Sequence, residues 1–261
     1  MDGKARHFVL VHGACHGAWC WFKVATILQS MGHKTTALDL AACGVNPKQV
    51  QELHSMSDYF EPFMEFMGSL PSGEKVILVA HSLGGCAVSY AMERFPEKIV
   101  VAVFAPAWMP GPDLSLGALD EEFTRTMGSF MDSKMAYDDG PCNPPTSVLF
   151  GLDFLSTKVY QLSPPEDLTL AMLSMRPLRL YGGHLYSDDL PRLTKLKYGT
   201  VPRVFITVDH DNVMVEESTR KMIESNPPDE IMEVSGSDHM ILYTKPKEFC
   251  SCLQEIAKKY A

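Results

Sequence analysis

Apolar residues fall into two rhythms along this chain. Short continuous runs stand at 8–11 (Phe-Val-Leu-Val), 76–80 (Val-Ile-Leu-Val-Ala) and 99–105, and mainly apolar stretches at 203–208 and 231–234. Runs this short, rich in β-branched residues and bounded by turn residues, read as buried strands, and residues 33–40 predict another. Between them the apolar positions recur at helical spacing. Trp19, Phe22, Ala25, Ile27 and Leu28 predict a helix over 18–31, ended by Gly32 as a C′ glycine. Phe60, Phe63, Met64 and Met67 predict one over 58–70, and Ala87, Val88, Tyr90, Ala91, Met92 and Phe95 another. Helices are also predicted at 216–226 and 246–260. Strand alternating with helix predicts an α/β fold, a doubly wound, mostly parallel six-stranded sheet covered on both faces.

Between 106 and 198 the rhythm breaks. No strand stands out there, and the stretch is punctuated by Met109-Pro-Gly-Pro112, Gly140-Pro-Cys-Asn-Pro-Pro145 and Gly182-Gly183. Short amphipathic pieces remain. One follows Ser163-Pro-Pro-Glu166, which has the spacing of a capping box. The expected organisation is therefore a core of residues 1–105 and 199–261, with a helical cap, 106–198, inserted in the same domain.

The run at 76–80 leads into Ala80-His-Ser82-Leu-Gly84 and then straight into a helical pattern. A serine on an abrupt strand-to-helix turn between small residues is the arrangement of a nucleophile elbow. It lifts the hydroxyl out of the sheet and aims the Leu83 N–H and the helix N-terminus at whatever Ser82 attacks. Taken alone, the motif also fits a serine that merely caps a helix. Acyl transfer needs a base and an orienting acid besides the nucleophile. Asp209-His-Asp211 follows the strand after the cap, and Ser237-Asp-His239 follows the last strand. Ser, Asp and His thus come in the order of α/β hydrolases, each past the carboxyl end of a strand, where open sheets place their sites. A lone loop histidine would read as structural; this order makes His239 the candidate base. Either aspartate could serve as acid. The N–H of Ala14, in the turn after the first strand, is a second candidate oxyanion donor beside Leu83, with Gly13 allowing close approach. His16 and His81 read as neighbours of the site rather than as bases.

Composition narrows the partners. The net charge is −9 and no basic run occurs, which argues against nucleic acid and anionic membranes. No stretch is apolar and long enough to span a bilayer. The seven cysteines are scattered and no signal peptide precedes them, which predicts a reduced, cytoplasmic chain. Cys250 and Cys252 read as helix packing, not as metal ligands. No metal or cofactor is expected.

His7-Phe-Val-Leu-Val-His-Gly-Ala-Cys-His-Gly-Ala-Trp19, Gly32-His-Lys-Thr-Thr-Ala-Leu-Asp-Leu40, Glu74-Lys-Val-Ile-Leu-Val-Ala-His-Ser-Leu-Gly-Gly85, Ser163-Pro-Pro-Glu-Asp-Leu168 and Gly236-Ser-Asp-His-Met240 together resemble the plant methylesterase family of α/β hydrolases. That family includes salicylic acid-binding methylesterases, polyneuridine aldehyde esterase, methylketone synthases and hydroxynitrile lyases. The resemblance spans essentially the whole chain and is densest before Pro106. It implies a triad of Ser82, Asp211 and His239, oxyanion donors at Ala14 and Leu83, and a homodimer. Gly140-Pro-Cys-Asn-Pro-Pro145 and Asn226-Pro-Pro-Asp-Glu230 look most like the methylketone synthase branch. The decarboxylase of that branch has Ala at the Ser82 position and Asn at the Asp211 position, whereas this chain keeps both catalytic residue types. The lyases have Thr at Gly13 and Lys at Met240, and this chain has neither.

The expectation is a cofactor-free serine carboxylesterase acting on the methyl ester of a small, mainly apolar plant metabolite, with decarboxylation to follow where the product is a β-keto or β-formyl acid. A hydroxynitrile lyase or a small-acid receptor on the same fold are the alternatives. Gly13, His16, Trp108, Phe130, Met131, Phe150 and Met240 are expected to line the substrate pocket, Phe130 by the family match. Met109, Phe123, Met127, Leu149 and Leu155 are the cap's further apolar contributors. No basic motif is placed to pair a second carboxylate, unless Arg125 or Arg176 does so.

Overall fold

The computed structural model describes residues 5–261. In chain order the elements are β1 (His7–Val11), α1 (Phe22–Ser30), β2 (Lys34–Leu38), α2 (Met56–Ser69), β3 (Val76–Ser82), α3 (Gly84–Arg94) and β4 (Ile99–Ala107). An inserted stretch then holds α4 (Leu116–Met127), β5 (Lys134–Ala136), β6 (Ser147–Leu149), α5 (Leu152–Phe154), α6 (Pro165–Ser174) and β7 (Leu178–Arg179). The core resumes with β8 (Arg203–Val208), α7 (Glu216–Ser225), β9 (Glu230–Val234), α8 (Ile241–Thr244) and α9 (Pro246–Tyr260).

Six strands form one sheet in the order β2-β1-β3-β4-β8-β9. Every pairing in it is parallel, with Val9 opposite Leu78 and Leu78 opposite Ala102. All of Phe8–Val11 and Val76–Ala80 is buried, so both faces of the central strands are covered, which is why they read as unbroken apolar runs. α2 begins at Met56, two residues earlier than its apolar spacing predicts. Ser55 Oγ accepts from the Asp58 N–H while the Asp58 carboxylate accepts from the Ser55 N–H, a reciprocal cap that fixes the start. Cys250 is buried in α9, Cys252 is half-buried, and both are unpaired. Among the described residues no helix is long and apolar enough to cross a membrane.

The inserted stretch corrects two expectations. It is not purely helical, because β5, β6 and β7 make an antiparallel three-stranded sheet. These strands have three, three and two residues, too few for an alternating pattern to stand out. The capping box at Ser163 does not form. Pro165 opens α6 as its first residue, Pro164 takes the cap position, and the Ser163 hydroxyl donates to Asp238 instead. The insertion is anchored to the core by polar contacts. The Arg176 guanidinium donates to the carbonyls of Asn46 and Lys48 at 2.5 and 2.6 Å, and Lys23 pairs with the buried Asp167 at 2.5 Å.

Candidate active site

The sheet changes winding direction between β1 and β3, and a ligand site is expected outside the carboxyl ends of two such strands. Ser82 closes β3 with φ of +53°, in the left-handed region. Its carbonyl accepts from the Trp108 N–H at 3.0 Å, which fastens the elbow to the end of β4. The small residues around it are there for want of space. A Cβ on Gly13 would lie 2.6 Å from Ser82 Cβ, and one on Gly84 would lie 2.5 Å from the His12 carbonyl oxygen. Ala14, beyond β1, and Leu83, beyond Ser82, border the same cavity, and among the described residues neither N–H is engaged in a hydrogen bond.

The other two loops supply His239 and an aspartate. His239 Nδ1 lies 2.7 Å from Asp211 Oδ2, with both side chains almost fully buried. Asp211 Oδ1 accepts from the N–H groups of Val213 and Met214 at 2.8 Å each, so the carboxylate is oriented by its own loop. Asp209 does not reach His239. It accepts from Gly236 N–H at 2.7 Å and Ser237 N–H at 3.2 Å, and clasps the two loops together. Burial works against ionisation of Asp209, but hydrogen bonds from Gly236, His210 and Ser237 prevail and hold its carboxyl down to about 2.

Two more histidines flank these residues. His81 Nε2 donates to the His239 carbonyl at 2.9 Å, and its ring lies 4.7 Å from that of His239. Burial, with the nearby His239, pushes the His81 imidazole well below its ordinary value, so it is neutral. His16 Nδ1 donates to the Ala14 carbonyl at 2.7 Å, and burial lowers its imidazole to about 4. Neither stands where Asp211 could orient it.

Above Ser82 and His239 lies a cavity of about 520 Å³, mouth included. Gly13, His16, Trp108, Phe130, Phe150 and Met240 line it. Phe130, Phe150 and Phe154 form one aromatic cluster, with centroids 4.9 to 6.3 Å apart, and Phe123 packs edge-on to Trp108 at 5.4 Å. Met131 is a correction. It takes φ of +51°, is 46% exposed and is not part of the cavity wall. Met109, Met127 and Leu155 are buried in packing away from the cavity, and Leu149 does not line it either. Sequence reasoning missed Phe154, Val159, Leu185 and Val213 in the wall. Phe154 carried a usable signal, standing one helical turn after Phe150; Leu185 carried none. Among the described residues no lysine, arginine, aspartate or glutamate lines the cavity. Arg125 is engaged with Glu122 and Glu217 on the surface, and Arg176 with the carbonyls above.

The alpha/beta hydrolase family model matches residues 8–251. The chain belongs to the α/β hydrolase family. Within it, relatives named as methyl jasmonate esterase and methylesterases, 41–56% identical over nearly the whole chain, put it among the plant methylesterases as a carboxylic ester hydrolase. It is 56% identical to methyl jasmonate esterase 1 of Vitis vinifera, over the full length of both chains. It is 48% identical to methylesterase 10 of Arabidopsis thaliana, covering 98% of this chain and 94% of that one. Among solved structures, tomato methylketone synthase I in complex with 2-tridecanone superposes with a TM-score of 0.94 at 47% identity, over 99% of this chain and all of that one.

Proposed function

We propose that this hydrolase cleaves the methyl ester of a small, mainly apolar acid through an acyl-enzyme on Ser82. His239 takes the Ser82 proton as the hydroxyl attacks the ester carbonyl, and Asp211 holds the imidazole in the required tautomer. The N–H groups of Ala14 and Leu83 stabilise the tetrahedral oxyanion. His239 returns the proton to the leaving methanol, then activates water to release the acid. One observation carries this reading: the Asp211–His239 pair and Ser82 meet at a cavity whose wall, apart from His16 and His81, is apolar, with no lysine, arginine or carboxylate in it among the described residues. The jasmonate and other methyl ester names of the relatives support it. A β-keto acid product would lose carbon dioxide after release, and the likeness to a structure holding 2-tridecanone supports including such esters in a test.

An apolar cavity gains about 25 cal/mol per Å² of apolar ligand surface buried. A second carboxylate buried there without a partner costs several kcal/mol. Incubation with a panel of methyl esters, followed by mass spectrometry of the products, should show aromatic and medium-chain acyl groups, methyl jasmonate included, outpacing dicarboxylate half-esters. Mandelonitrile in the same panel should release cyanide only at background, since Gly13 offers no hydroxyl and Met240 no charge. Efficient half-ester cleavage or robust cyanide release would refute the reading. Phe130→Ala removes one member of the aromatic cluster. Its preference should move toward bulkier acyl groups while a small activated ester is still cleaved, and an unchanged ranking would count against a specificity role.

A further inference from the structure

Ser82 is fastened to the sheet, but the other parts of the site ride on loops: 13–16 with Ala14, 209–213 with Asp211, and 236–240 with His239. One short stretch of the insertion touches all three. It begins in a π-helical turn at Leu155–Val159 that continues α5, a form of helix that recurs at functional sites. The Thr157 carbonyl accepts from Asn212 Nδ2 at 3.1 Å. The Tyr160 hydroxyl meets His16 Nε2 at 2.6 Å. Because a carbonyl can only accept, the bond from His16 Nδ1 to Ala14 puts the ring proton on Nδ1, so Tyr160 is the donor at Nε2. Gln161 Nε2 donates to the His210 carbonyl at 2.5 Å. The Leu162 N–H and the Ser163 hydroxyl both donate to Asp238 Oδ2, at 2.9 Å each. The other Asp238 oxygen accepts from the Met240 N–H at 3.0 Å and from the Thr244 hydroxyl. Asp238 is wholly buried and stands next to His239, and its four donors satisfy the charge.

We infer that residues 157–163 are a strap that sets the spacing among the oxyanion, acid and histidine loops, with Tyr160 within it and Asp238, its anchor on the His239 loop, as the principal positioning residues. The insertion is then more than a wall for the substrate. It reaches Ala14 through Tyr160 and His16, the Asp211 loop through Thr157 and Gln161, and the His239 loop through Asp238. A reacting group displaced by about 1 Å can lose roughly a hundredfold in rate, so loops free of the sheet need such a tie. The inference rests on the ester hydrolysis proposed at Ser82.

The test compares Tyr160→Phe, which deletes one hydroxyl and keeps the ring, Asp238→Asn, and Ser163→Ala. Ser156→Ala is the control, since its hydroxyl bonds only the Asp153 carbonyl within the same turn. Each variant is assayed for kcat and KM on p-nitrophenyl acetate, for melting temperature, and for the low-field proton resonance of His239 Nδ1–H. Tyr160→Phe and Asp238→Asn should lower kcat about 10- to 100-fold with KM nearly unchanged. Asp238→Asn should also shift or broaden the His239 signal, while Ser156→Ala matches the wild type. Values of kcat within twofold of wild type in both variants, or a loss carried by KM alone, would overturn the strap. Should Asp238→Asn fail to fold, Tyr160→Phe and Ser163→Ala decide the matter by the same kcat criterion. A wild-type protein whose esterase activity is absent, or survives Ser82→Ala, refutes the proposed chemistry instead. In that event the strap stands or falls on whether Asp238→Asn, or Ser163→Ala in its place, alters the His239 resonance.

Discussion

Asp211→Asn should leave a folded protein with kcat lowered by about 10⁴, the loss expected when the orienting acid of a triad becomes an amide. The carboxylate accepts two backbone N–H groups through Oδ1 and the His239 Nδ1–H through Oδ2. Asparagine can keep the first oxygen in place, but its amide group then faces Nδ1 as a donor and favours the wrong tautomer. Asp209→Asn should behave in the opposite way. Its clasp on Gly236 and Ser237 is structural, so the melting temperature should fall while kcat drops by no more than about tenfold. The two also part company in acid. Asp209 is held at about 2, below the ordinary carboxylate value near 4, so its contribution to stability is complete above that value and is lost as pH falls toward 2. An acid melt of Asp209→Asn should lack that portion of the pH dependence. Kinetics and melts on one ester separate the pair: a dead Asp209→Asn beside an active Asp211→Asn would reverse the assignment.

Gly85→Ala should cost the fold itself. A Cβ there would stand 1.9 Å from the Trp108 carbonyl oxygen and 2.9 Å from its carbon, and both are backbone atoms. No rotamer change relieves such a clash. Either the first turn of α3 or the end of β4 has to move, and both carry the elbow, through Leu83 and through the Trp108–Ser82 hydrogen bond. Overpacking of ordinary side chains costs about 1–3 kcal/mol, and a collision with main chain lies at or beyond the top of that range. Most of the variant should be insoluble, and any soluble fraction should melt far below the wild type by circular dichroism. A wild-type melting temperature for Gly85→Ala would show that the α3–β4 contact has slack not evident in the structure. The same spacing makes Gly85, which the Ala80–Gly84 motif leaves out, as demanding a position as the flanking residues within it.

What could be read in the sequence follows from how each part is held. The strands at Phe8–Val11 and Val76–Ala80 are buried on both faces, so burial alone writes them as apolar runs. Ser82 ends β3, and Asp211 and His239 sit shortly past the ends of β8 and β9, so the strands announce those positions. The boundary of α2 shifted because a side-chain cap, not apolar spacing, sets it. The insertion obeys other rules. Lys134–Ala136 and Ser147–Leu149 pair because surrounding loops bring them together, and nothing within either triplet says so. Ser163 has capping-box spacing, yet a buried carboxylate 75 residues away in the chain takes its hydroxyl. The cavity wall is assembled from Phe130, Phe154, Leu185 and Val213, which share no periodicity. Met131, adjacent to Phe130, turns outward on a left-handed backbone that composition cannot reveal.

Ser82 holds that same left-handed geometry, at φ of +53°, and for an L-residue with a Cβ this costs about 1–2 kcal/mol. Glycine would sit there without that steric penalty. The elbow persists because β3 remains paired with β4 out to Ser82 and Ala107, and because the Trp108 N–H pins the Ser82 carbonyl. Under the chemistry proposed at Ser82, reactivity and robustness are opposed at this position: the residue that would make the turn most comfortable is the one that removes the hydroxyl. A lineage freed from catalysis could relax the turn by a single substitution, and the rest of the sheet would gain from the loss.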